Sequence, residues 1–161
     1  MANLPQLIEE DIQKLDETLQ DFLAQTDATV ALIIDKGGFM ITHQGEAGEL
    51  DLTSIGALAS GAFLASQSIA GLVNEKDFNH TSLQGEEHSV FTVNVDEQCL
   101  LVVVFPSQTG VGVVKYYSAA AIHRLARQLA VARERDPEGG VDLSELNLAD
   151  PQELFRKKRP L

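Results

Sequence analysis

From Leu52 to Asn74 the chain runs twenty-three residues without a formal charge. Few structures accommodate such a stretch. A helix of this length would cross a bilayer if it were apolar enough. This one carries Thr53, Ser54, Ser60, Ser66, Gln67, Ser68 and Asn74 together with three glycines. That polar content predicts no membrane insertion, but a helix covered by protein on nearly all sides. Asp51 or Thr53 can cap it, and it is expected to run to about Lys76.

The flanking sequence supplies elements for it to pack on. Residues 5 to 26 read as an amphipathic helix, with Leu7, Ile8, Ile12, Leu15, Leu19, Phe22 and Leu23 at helical spacing and Pro5 in the first turn. Thr29–Asp35 and Phe39–His43 read as two strands of a hairpin turned at Gly37-Gly38. After the uncharged helix come three more strands: a polar one over 78–85, an alternating one over 89–95, and the apolar run Leu100–Phe105. The last should lie centrally, buried on both faces, and the polar one at an edge. A closing helix over about 112–134 presents Val114, Tyr117, Ala121, Leu125, Leu129 and Ala132 on one stripe. The order is α-β-β-α-β-β-β-α, an α+β (broadly α/β) domain over residues 1–135. Residues 136–161 form a separate tail, with a short helix expected from Asp150-Pro151.

Composition narrows the function. At 161 residues the chain is one domain's worth and can bury roughly 70% of its unfolded surface unaided. Twelve basic against twenty-four acidic residues, net −12, argues against nucleic acid or an anionic membrane as partner. Cys99 stands alone, which excludes an internal disulfide and a thiolate zinc cage. The opening residues have neither a basic n-region nor an apolar h-region, so the cytoplasm is the expected compartment.

Catalytic chemistry has no foothold in the pattern. His43, His80, His88 and His123 are scattered without metal-ligand spacing. Cys99 opens the most apolar strand and reads as a buried structural thiol. The glycines of 110–114 lack the Lys and Ser/Thr of a phosphate cradle and read as a loop and helix start. No carboxylate interrupts an apolar stretch as a buried catalytic acid should. Neither a cofactor nor a metal is expected.

What remains is the uncharged helix. On a helical wheel Leu52, Ile55, Ala59, Ala62, Phe63, Ile69 and Val73 form a stripe expected to face a sheet. The opposite face holds Ala57, Ser60, Gly61, Leu64, Ser68 and Gly71, where a surface helix would carry Lys and Glu. Small residues there admit another backbone, and each glycine costs up to ~1 kcal/mol against alanine unless such an approach needs it. With few other elements to cover that face, an intermolecular interface is the expectation.

The element order, the hairpin DKGGFMI, and the run SLQGEEHSVFTVNVDEQCLLVVVF followed by GVGVVKYYSAAAIHRLARQL resemble the Roadblock/dynein light chain family over about residues 5–135. Within it the chain is most similar to bacterial regulators of small Ras-like GTPases. The resemblance implies a five-stranded antiparallel sheet flanked by helices. It also implies a homodimer in which third strands pair edge to edge and second helices lie antiparallel across the seam. Ala57, Ser60, Gly61, Leu64, Ala65, Ser68, Gly71 and Leu72 on the helix, with Thr81, Ser82, Leu83 and Gln84 on the strand, would make those contacts.

The function so implied is a non-enzymatic homodimeric module that binds a small Ras-like GTPase and modulates its GTP hydrolysis. Arg124, Arg127, Arg133 and Arg135 are read as solvated or structural rather than as inserted fingers. A light-chain-type scaffold without effect on turnover is the alternative. A small-ligand sensor ranks below it and would need a large apolar cavity under the first helix. In the tail, Arg156-Lys157-Lys158-Arg159 follows Leu154-Phe155; with eighteen acids and eight bases in residues 1–135 it could fold back on that body or bind another protein, and a solvated terminus is the equal alternative.

Overall fold

A computed structural model of the chain describes residues 4–139. The continuously apolar strand β5 (Cys99–Pro106) has seven of its eight residues buried and organises the rest. On one side it pairs with β1 (Val30–Asp35), which pairs in turn with β2 (Met40–Gly45); on the other lie β4 (His88–Asn94) and then β3 (His80–Gln84). All four pairings are antiparallel, giving the order β2-β1-β5-β4-β3. The polar strand thus takes an edge and the apolar one the centre, as a desolvated backbone requires.

Helices cover the two faces unequally. Against one face pack α1 (Glu9–Thr26) and α3 (Val111–Gly139). Leu15, Leu19 and Phe22 meet Val114, Leu125 and Leu129 there, over Ile33, Phe91, Leu101 and Val103. The other face, with Val30, Leu32, Leu100, Val102 and Val104, has one helix, α2 (Leu52–Leu72), which sends down only Leu52 and Phe63 as large buried side chains. Gly38 (φ +94°) brings the β1–β2 turn against α2, for a Cβ there would sit 3.1 Å from the Cα of Ala57.

Several boundaries differ from expectation for identifiable reasons. α1 starts at Glu9 rather than residue 5, because the Asp11 carboxylate accepts the Ile8 N–H at 2.9 Å and closes the first turn there; Pro5 lies buried ahead of it. α2 is capped by Asp51, which accepts from Ser54 N–H. It stops at Leu72 because Asn74 turns left-handed (φ 61°) and Glu75 N–H bonds back to the Ala70 carbonyl. α3 continues through Pro137 to Gly139, past the boundary expected at 135. The remainder of the tail, including the helix expected near Asp150 and the basic cluster, lies outside the described residues.

Candidate protein interface

Every residue of α2 is uncharged, so nothing in its composition declares which side faces the sheet. The geometry does. Leu52, Gly56, Ser60, Phe63 and Ala70 are its buried residues, at spacings of three, four or seven. Ser60, expected on the outer face, is only 2% exposed and donates its hydroxyl to the Lys36 carbonyl at 2.7 Å. The main chain beneath the helix needs that donor, which is why a polar residue stands inside. Gln67 does similar work: its amide donates to the Phe78 carbonyl at 2.7 Å and accepts the Phe78 N–H at 3.2 Å, holding the approach to β3 under the helix. Ile69 and Val73, expected on the sheet, point to solvent instead, as does Ala62.

The remaining outer positions stand where the wheel puts them. Ala57, Gly61, Leu64, Ala65, Ser68, Gly71 and Leu72 are all at least partly exposed. Leu72 is 83% exposed, and Leu58, which the wheel did not single out, is 75% exposed. By length and composition α2 is apolar enough to cross a membrane, more so than its serines suggested, yet only 22% of its most apolar window is buried. Such a surface is far from the usual outer face of a soluble helix.

The glycines sharpen the point. A Cβ on Gly56 would meet Ile34 Cγ2 at 3.1 Å, so the sheet packs tightly against that glycine. A Cβ on Gly61 or on Gly71 would meet nothing within 4 Å. Within the described residues, no close approach accounts for these two positions, each of which weakens the helix.

Beside this helix lies β3. Thr81 pairs with Thr92 and Leu83 with Val90, which puts Thr81 and Leu83 on the α2 side of the sheet. Ser82, Leu83 and Gln84 are exposed and Thr81 half-buried. The sequence HTSLQ contains no lysine or proline, and its five-residue register with β4 has no bulge. An edge this regular and unguarded is a template for another strand. By contrast the opposite edge, β2, is flanked by α1 through Gln20–Gln44 and Thr42–Asp16 hydrogen bonds.

Burial pushes the Cys99 thiol up to about 12, which leaves no thiolate for nucleophilic work near neutrality. Arg124 pairs with Asp21 and Arg135 with Asp11, tying α3 to α1, while Arg133 ties α3 to Asp96 in the β4–β5 turn. Among the described residues no three His, Cys, Asp or Glu side chains converge as a metal-ligand set. Under α1 the space expected of a sensor domain is filled by the fully buried Leu15, Leu19 and Phe22.

The sequence matches the Roadblock/LC7 domain over residues 14–105. A comparison with curated proteins gives no match. Among solved structures, the chain is similar to an MglB with tetrameric arrangement, at 28% identity and a TM-score of 0.76, covering 82% of this chain and 99% of that one. It is similar to gliding protein MglB from Thermus thermophilus at 28% identity and a TM-score of 0.74, covering 81% and 98%. Myxococcus xanthus MglB follows at 25% identity and 0.72, covering 78% and 95%.

Proposed function

The chain belongs to the Roadblock/LC7 family, and from that premise we propose that it is a non-enzymatic, homodimeric regulatory module that binds a small Ras-like GTPase in the cytoplasm. The observation carrying this reading is the uncharged outer face of α2, with Gly61 and Gly71 open to a close approach, lying beside the unguarded edge of β3. Two copies joined along β3 continue one sheet into the next and bring two such helices side by side. The MglB of tetrameric arrangement supports self-association as a habit of this fold.

A GTPase seated on paired α2 helices meets apolar and small side chains, none of them charged. Arg124, Arg133 and Arg135 are engaged in ion pairs and Arg127 stands on the same helix α3, none of them on α2, so the reading assigns any acceleration of hydrolysis to ordering of the GTPase's own groups. The acidic body, eighteen acids against eight bases over residues 1–135, steers a basic partner surface toward the dimer. Single-turnover hydrolysis by a GTP-loaded small Ras-like GTPase encoded with this chain tests the proposal. Faster turnover that Leu72→Arg abolishes is the expected result. Binding without any change in turnover would make the chain a light-chain-type scaffold, and absence of binding would remove the GTPase reading.

A further inference from the structure

At the end of the sheet where β1 finishes and β4 turns into β5, α2 overhangs a groove of about 450 Å3. Phe63 and Leu64 of α2 and Phe78 ahead of β3 provide its apolar lining, Asp77 and Glu97 its acidic rim, and Lys36 its one cationic side chain. Among the described residues neither Asp77 nor Glu97 forms an ion pair. A third carboxylate, Asp96, is already engaged: it accepts from the Gln98 and Cys99 N–H groups and from Arg133 at 2.7 Å. The groove therefore mixes the apolar Phe63, Leu64 and Phe78 with the amides Gln67, Asn79 and Asn94, and carries two unpaired carboxylates against one lysine.

Arg133 also locates the path of the chain. Its contact with Asp96 anchors α3 to the β4–β5 turn that borders the groove, and α3 ends six residues later, at Gly139. Beyond it the sequence carries Leu154-Phe155 and then Arg156-Lys157-Lys158-Arg159, four of the twelve basic residues of the whole chain. The intervening stretch of roughly fourteen residues reaches up to ~45 Å when extended, ample to round the turn. An apolar pair followed by four cations matches a groove that offers Phe63, Leu64 and Phe78 to the pair and two carboxylates, against the single cation of Lys36, to the cations.

We infer that Leu154–Arg159 docks in the groove of its own chain, Phe155 against Phe63 and Phe78 and the basic residues along Asp77 and Glu97. Leu64 belongs both to this groove and to the exposed face of α2, so the docked segment borders the proposed interface. The inference stands whether or not the partner on α2 is a GTPase.

The test uses the full chain with a nitroxide on Leu161→Cys; Cys99, buried and with its pKa pushed up to about 12, does not compete for the label. Amide signals of Asp77, Phe78, Asn79 and Glu97 should lose more than half their intensity, while His43 on the far strand β2 keeps its own. The loss should persist when labelled chain is diluted into excess unlabelled, unmodified chain, and it should fade at ~0.5 M salt. Asp77→Lys with Glu97→Lys, or Phe155→Ser alone, should abolish it. No broadening, broadening spread over the acidic surface, broadening indifferent to these substitutions, or broadening lost on dilution would each overturn docking on the same chain.

Discussion

Asp11 has no exposed side-chain surface and makes four hydrogen bonds, to Ile8 N–H, to Gln128, and two to the Arg135 guanidinium at 2.8 and 3.1 Å. The Arg135 pair above all holds its carboxyl down to about 2, well below the usual carboxylate range. A carboxyl whose folded pKa is depressed stabilises the fold above its unfolded pKa, and that stability is lost as pH falls through the folded value. Between about pH 4 and pH 2 the protein should therefore lose roughly 1–2 kcal/mol at this residue, the lower figure reflecting the solvent that reaches Arg135. Urea unfolding of Asp11→Asn should show that loss already at pH 7 and a flatter profile below pH 4; an unchanged acid profile would deny Asp11 this role. Cys99 gives a second check at this scale. Wholly buried under α3, it should resist a thiol reagent until denaturant is added, and rapid labelling of the native protein would contradict the placement of β5. Both residues show what the sequence made legible. Cys99 heads an apolar run, so its burial could be read directly. Asp11 looked like one more acid of an acidic helix start, because its partner lies 124 positions away.

At the scale of elements, the strands were readable and the orientation of α2 was not. Strand identity follows from alternation and turn residues, and each of the five strands lies within two residues of its expected span. A helix is oriented by contrast between its faces, and α2 has none: Ser60 and Gln67 face inward while Leu58, Ile69 and Leu72 face outward. The inward polar residues serve main-chain groups of Lys36 and Phe78, partners that helical spacing cannot reveal. What the pattern did disclose, a helix without charge on any side, is the property that marks the surface. Gly61 separates the two readings of that surface by sign. In an isolated protomer Gly61→Ala should stabilise α2 by up to ~1 kcal/mol, since the new methyl meets nothing within 4 Å. If a partner backbone passes over this position, the same methyl weakens association, by roughly tenfold for a loss of ~1.4 kcal/mol. Sedimentation equilibrium should find weaker dimers together with more stable monomers, and unchanged or tighter dimers would contradict a close crossing at Gly61.

At the scale of the whole molecule, two helices seal one face of the sheet and a single, largely exposed helix lies over the other. That asymmetry is costly for a lone protomer, which leaves Leu58, Leu64, Leu72 and Leu83 in water. It is the arrangement shared with MglB structures that this chain matches over nearly their whole length. One claim is central: a second copy covers this face and the adjoining edge of β3. Light scattering at low micromolar concentration tests it most directly. The unmodified chain should show twice its 17.5 kDa mass, and Gly61→Glu, which sets an unpaired charge in the contact, should return it to a single chain. A mass of one chain for the unmodified protein at that concentration would contradict a second copy on this face.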